Sequence, residues 1–386
     1  MSGRLREFFF SYTRDLKAED LGRLFTRDTR EAYEFFARNI DAKQLEGLRW
    51  HRRLIVQLRL FFIAFTMKLS PARRVVYAAS IIFACVGVFN LMQLRVSQAA
   101  MAQATTSLRV PPSGLGSLVI AFALVNLLVL LEVADRLSLK NDLEIAREIQ
   151  KAMLPPGRFR APGADVAGFS RPANTVGGDF YEILPLGDGR LVTAVGDVAG
   201  KGSPASLLMA LLLAMMRTLN DEDLDPAALI ARLNVQVCRQ APGNRFITLF
   251  YSVMDLATGE LTYVNAGHTP PLLLRENGSV QRLQDGGVAL GMFDGSSFQT
   301  GRIRLEHDDL LAIYSDGITE AENPRGDPFD ERGLETVLTA ERRNNVAATC
   351  TAVVRAVERH TADTRLADDL TLLLLRRSTV PAPAGV

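Results

Sequence analysis

An α+β sandwich preceded by two transmembrane helices is what this chain of 386 residues predicts, and three observations carry that reading. Two charge-poor apolar runs of spanning length lie before residue 134. Turn signals of the hairpin type recur between apolar runs in the rest of the chain. Helical segments are inserted between those hairpins, whereas a doubly wound parallel sheet demands regular strand–helix alternation.

Residues 1–72 form the first region. They are basic and carry phenylalanines at irregular helical spacing (Phe8, Phe9, Phe10, Phe25, Phe35, Phe36), which predicts a helical cytoplasmic unit. Within it, Leu54–Met67 is apolar but interrupted by Arg59 and followed by Lys68, a pattern that suits an interfacial helix better than a third span.

Residues 73–133 predict a membrane hairpin. Val75–Leu94 runs without a charge, long enough at helical rise to cross a hydrocarbon core of roughly 30 Å. A second run, 115–133, has only Glu132 near its end, and Pro111 and Pro112 break the loop between the two. Arg49, Arg52, Arg53, Arg59, Lys68, Arg73 and Arg74 precede the first span, and Arg136, Lys140, Arg147 and Lys151 follow the second. The loop holds Arg95 and Arg109. The positive-inside rule puts both termini of this multi-pass arrangement in the cytoplasm.

Residues 134–157 predict a linker helix stopped by Pro155, Pro156 and Gly157. Its apolar stripe (Leu139, Leu143, Ala146, Met153) must pack on something, either a second copy in a homodimer or the domain that follows.

Residues 158–378 form the sandwich. Turn signals stand at Gly187–Gly189, Ala257–Glu260 and Asn277–Ser279, helices are predicted over 203–219, 226–240 and 347–360, and Leu370–Leu375 reads as a closing central strand. Residues 379–386 read as a disordered tail.

Composition excludes little. Lysine plus arginine (44) nearly balances aspartate plus glutamate (43), so no strong field points to nucleic acid. Cys85, Cys238 and Cys350 are too scattered for a zinc site or a disulfide framework.

Residues 176–202 carry the chemistry. Taken as a hairpin with Asp188 at its tip, nine residues in either direction reach Asp179 and Asp197. With no bulge, these carboxylates face each other across neighbouring strands, which is destabilising unless a cation lies between them. Asp316 follows an apolar strand in LLAIYSDGITE, and Asp368 and Asp369 precede another in ADDLTLLLL. An all-carboxylate cluster at strand ends favours a hard cation, magnesium or manganese, over zinc. Asp188 and Asp285 read as ordinary turn residues.

The strings RPANTVGGDFYE, GDVAGKGSPASLLMA, VNAGHTPPLLL, YSDGITEAEN and DDLTLLLL occur in that order over about residues 141–378. Together they resemble the SpoIIE-type (RsbU-like) branch of the metal-dependent PPM serine/threonine protein phosphatases. The resemblance implies an αββα sandwich holding two Mn2+ or Mg2+ ions, with Asp197 bridging them and the Val198 carbonyl completing one shell. It further implies Asp179 on the first metal, and Asp316 with Asp368 on the second, Asp369 being the fallback. The reaction it implies is hydrolysis of phosphoserine or phosphothreonine on a cytoplasmic signalling protein such as an anti-sigma-factor antagonist, by water activated between the metals.

Other residues near these strings have plainer readings. Lys201 lacks the glycine spacing of a phosphate loop. Its position corresponds to that of a histidine in the eukaryotic branch, so the general acid is unassigned. His268 reads as structural, Arg171 as a phosphate contact or a strand-edge residue, and Glu182 as an outer-edge replacement for aspartate. Two rival functions stand beside the phosphatase: an inactive phosphatase-like module acting by partner binding, and a metal-dependent nuclease or small-molecule hydrolase. The nuclease predicts a basic channel, which this region lacks.

Overall fold

A computed structural model describes residue 66 and residues 70–100 and 112–378, less positions 223, 242–244, 363 and 365. Nearly all of the N-terminal region with its interfacial segment, interspan residues 101–111 and the tail fall outside the described residues; residues 95–100 and 112–114, expected in the loop, are helical. The chain divides into two units, Met1–Leu137 and Ser138–Val386.

In the first unit, helix α1 (Pro71–Ala100) and the leading part of α2 (Pro112–Met153) carry the apolar runs. Ala72–Met92 and the stretch from Leu115 are long and apolar enough to cross a membrane. Val75, Ile82, Phe89, Phe122 and Leu130 point outward with most of their surface exposed, an apolar exterior of the kind that marks a membrane or protein interaction surface. Arg73 reaches Asp135 at 2.7 Å and Glu132 at 3.4 Å, so the acidic residue ending the second run has a cationic partner at the foot of the first.

Among its described residues the second unit has twelve strands: β1 (Arg158–Ala161), β2 (Gly163–Arg171), β3 (Phe180–Pro185), β4 (Arg190–Val198), β5 (Ile247–Asp255), β6 (Glu260–Ala266), β7 (Leu272–Leu274), β8 (Val280–Arg282), β9 (Gly286–Gly287), β10 (Gly301–Arg304), β11 (Leu310–Tyr314) and β12 (Leu370–Ser378). The first sheet runs β1-β2-β12-β11-β7-β8 and the second β10-β6-β5-β4-β3, with β9 beside β6. Apart from the β6–β9 contact, the pairings are antiparallel. The helices are α3 (Ser203–Asn220), α4 (Pro226–Gln240), the single turn α5 (Asp316–Thr319), α6 (Asp330–Glu341) and α7 (Val346–Thr361).

Three buried layers make this an αββα sandwich. Val166, Val195, Phe250, Leu311, Ile313, Leu373 and Leu375 fill the space between the sheets. The outer face of the second sheet packs on α3 and α4 through residues such as Phe180, Leu249, Leu212 and Leu233. The outer face of the first packs on α6 and α7 through Leu372, Leu374, Leu338 and Val353. Strand β12 is buried on both faces, so its sequence is continuously apolar where a half-exposed strand would alternate.

Helix α3 is also apolar enough in composition to cross a membrane. Ala205, Leu208, Met209, Leu212, Leu213 and Met216, spaced by three and four residues, are instead buried against the sheet, so it is a core helix. Helix α6 was not anticipated, because its sequence, DERGLETVLTAE, buries only Leu334 and Leu338 and shows a weak apolar rhythm.

Candidate metal centre

The β3–β4 hairpin sets the site. Its register pairs Phe180 with Gly196 and Tyr181 with Val195, without a bulge, and one further step brings Asp179 opposite Asp197. Asp179 is almost fully buried and its Oδ2 has no hydrogen-bond partner. Burial, and then the Asp197 charge, push its carboxyl well above the ordinary carboxylate range. Asp197 is raised to about 6 by burial, opposed by a hydrogen bond with Asp179 and reinforced by the charges of Asp316, Asp368 and Asp369. Asp316, opening α5 at the end of β11, is raised by burial and by Asp368, against the Gly317 N–H and the Lys201 charge. All five predicted aspartates therefore share one electrostatic neighbourhood, and the Val198 carbonyl lies on the same strand end.

Asp369 is committed to the backbone. Its Oδ1 accepts from Ala173 N–H and its Oδ2 from Gly178 N–H, both at 2.8 Å, which pins the loop leading to Asp179. A Cβ at Gly177 would stand 2.1 Å from that Oδ2, and one at Gly317 would stand 2.0 Å from the Asp369 carbonyl oxygen; glycine at both is a requirement of close approach. Asp368, half-exposed, accepts through Oδ1 from the Asp369 N–H at 2.9 Å and pairs through Oδ2 with Lys201 at 3.0 Å.

The donor set fits a hard divalent cation. It is all oxygen, it contains a buried carboxylate oxygen with nothing to satisfy it, and it juxtaposes like charges that a cation would reconcile. Among the described residues no three acidic, histidine or cysteine side chains form a preassembled coordination shell. The engagements of Asp369 with the backbone and Asp368 with Lys201 account for part of that.

Neighbouring residues refine the sequence reading. His268 is buried, shares a 2.9 Å hydrogen bond with Thr248 through Nδ1, and is pushed down to about 4 by burial, so it is neutral at neutral pH. Arg171 pairs with Glu358 at 2.7 Å and stacks 5.9 Å from the centroid of the Phe169 ring. It also lines a cavity of about 260 Å³ with Arg147, Lys151, Asp179 and Asp369.

The reading of Glu182 needs correcting. Strand β3 is an edge strand, but the Glu182 side chain is only 2% exposed; it binds Arg217 of α3 at 2.5 Å, and Arg217 also donates to the Met153 carbonyl at the end of α2. Gln150 was missed altogether. Its Nε2 donates to the Gly177 carbonyl at 2.9 Å and its Oε1 accepts from the Gly177 N–H at 3.2 Å. Its signal was legible as the single polar residue at the next step of the stripe Leu139, Leu143, Ala146, Met153.

A two-sheet α+β domain with carboxylates gathered at its strand ends defines a PP2C-type fold with a candidate metal centre. The SiaA-PP2C domain of Pseudomonas aeruginosa shares that fold, with a TM-score of 0.56 at 21% identity over 63% of this chain and 98% of that one. Residues 187–378 match the family model described as Stage II sporulation protein E (SpoIIE), and this domain belongs to the SpoIIE family of PPM phosphatase domains. Similar curated proteins include Protein IcfG of Synechocystis sp., 30% identical over 56% of this chain, and Phosphoserine phosphatase RsbU of Bacillus subtilis, 28% identical over 62%. The matched stretch spans 38% of the first relative's length and 71% of the second's.

Proposed function

We propose that the protein is a divalent-cation-dependent phosphatase for phosphoserine and phosphothreonine on a cytoplasmic signalling protein, held at the bacterial inner membrane by the hairpin of α1 and α2. The observation that carries this reading is the cross-strand pair Asp179–Asp197, in which one buried carboxylate oxygen, Asp179 Oδ2, has no hydrogen-bond partner and a cation would supply one.

Asp179, Asp197, the Val198 carbonyl, Asp316 and Asp368 are the proposed ligands. Asp369 fits less well, since using it would release the Gly178 N–H. Mn2+ or Mg2+ held by these residues would supply Lewis acidity toward a phosphoryl group and a more acidic water. The protein's own contribution is positional. Strand register fixes Asp179 against Asp197, and Asp369 with Gln150 fixes the glycine loop between them and α2.

The name of the RsbU relative supports phosphoserine as the substrate group. An anti-sigma-factor antagonist is the proposed partner of that chemistry. The outward apolar surface of α1 and α2 supports the membrane, and basic residues on both outer flanks support cytoplasmic termini. Ile145 and Ile149, exposed on α2, are the face proposed for a homodimer. The linker carrying Gln150 is proposed to govern metal occupancy. A fragment from residue 134 is expected to show stronger manganese-dependent activity than one from residue 158, and equal activity would exclude the linker's role.

The test of the function is hydrolysis of an aryl phosphate by the full chain in detergent with Mn2+. Activity lost both on chelation and in Asp197→Ala supports the phosphatase. A folded wild-type protein without turnover at any Mn2+ concentration favours the inactive binding module.

A further inference from the structure

Lys201 sits between two glycines of left-handed backbone, Gly200 (φ 110°) and Gly202 (φ 76°), in the turn that joins the end of β4 to α3. Its ammonium group is therefore delivered to the mouth of the cluster. There Nζ lies 3.0 Å from Asp368 Oδ2 and donates to the Ala367 carbonyl at 2.5 Å. The Lys201 charge also bears on Asp316. Arg245, the other cation at this turn, behaves differently: its guanidinium packs against the Gly200 backbone and reaches the Ala199 carbonyl at 3.5 Å.

We infer that Lys201 is an internal counter-cation of the carboxylate cluster, which pairs with Asp368 and must be displaced before that carboxylate can bind a divalent cation. This rests on the reading of the cluster as a metal centre. Two effects act together. The ion pair has to break, and the ammonium group then faces a like charge a few ångströms away. Both lower the affinity of the position served by Asp368 and Asp316, and neither acts directly on Asp179. Lys201 is thus a positioning residue that tunes occupancy, making assembly of the complete site responsive to any movement of the β4–α3 turn.

The test is Mn2+ affinity, read from the electron paramagnetic resonance signal of free Mn2+ in titrations of the full chain in detergent, with no substrate present. Lys201→Met and Lys201→Gln are expected to tighten the weaker binding step by about tenfold, since an exposed ion pair accounts for up to ~5-fold and the lost repulsion for the remainder. Lys201→Arg, which keeps the charge, is expected to bind no tighter than wild type, and Arg245→Gln to change affinity by less than about twofold. Thermal unfolding identifies any variant that fails to fold, and the glutamine and methionine variants stand in for each other. Unchanged or weaker binding in a folded Lys201→Met or Lys201→Gln overturns the inference and leaves the metal centre standing, as does an Arg245→Gln effect of equal size. A wild-type protein that binds no Mn2+ overturns both.

Discussion

Gln150 grips Gly177 through both of its backbone groups, donating to its carbonyl and accepting from its N–H, so the last turns of α2 are fastened to the loop that presents Asp179. Two buried hydrogen bonds in one side chain make this a rigid tie. Gln150→Ala leaves both Gly177 groups unsatisfied and is expected to destabilise the domain by about 2 kcal/mol. It should also raise the Mn2+ concentration needed for half-maximal aryl phosphate hydrolysis several-fold. Denaturant unfolding and a Mn2+ titration of rate measure the two effects, and an unchanged Mn2+ dependence would reduce Gln150 to a structural role.

The pH dependence of the metal-free domain follows from raised carboxyls. Asp197 moves from 3.8 to about 6, and Asp179 moves in the same direction. Stability from such groups is fully present below the unfolded pKa near 3.8 and is lost as pH rises through the folded value. With EDTA present, the protein should therefore unfold more readily at pH 7.5 than at pH 5, apart from general acid effects. Asp197→Asn should recover about 2 kcal/mol at pH 7.5 and much less near pH 4. Thermal unfolding across that range checks the sign; a destabilised Asp197→Asn at pH 7.5 would contradict it.

Arg217 and Glu182 link α3, β3 and the end of α2. Removing the arginine strands a carboxylate that is 2% exposed, whereas Glu182→Gln leaves a neutral group beside a half-exposed cation. Arg217→Met is expected to cost roughly 3 kcal/mol and Glu182→Gln about half that. A double-mutant cycle in urea should show strong coupling between them, and additive effects would refute the link.

The hairpin makes a topological prediction. The protein should resist alkaline extraction from membranes, and a protease applied to intact spheroplasts should spare an epitope at the C-terminus until the membrane is opened. Digestion of that epitope in intact spheroplasts would reverse the orientation.

Much of this architecture was legible because it is periodic. The β3–β4 register follows from counting outward from Asp188, and α3, α4 and α7 lie within a residue of their expected bounds. The acidic cluster was legible too, because all five aspartates abut strand ends or turns that the sequence punctuates with glycine. What sequence concealed depends on contacts distant along the chain. Glu182 meets an arginine 35 residues away, Asp369 binds a loop almost two hundred residues earlier, and Lys201 finds Asp368 only through the fold. None of these pairs leaves a local pattern. The choice between Asp368 and Asp369 likewise turns on distant partners, since Asp369 gives both oxygens to the loop before Asp179 while Asp368 gives one to the adjacent Asp369 N–H and the other to Lys201.

The central claim is that Asp179 and Asp197 are paired to hold divalent cations, and calorimetric titration of Mn2+ into the full chain in detergent tests it most directly. The wild type is expected to take up two ions per chain, with loss of both in Asp197→Ala, which removes the carboxylate that the other four aspartates surround. Undiminished Mn2+ binding by a folded Asp197→Ala would contradict it.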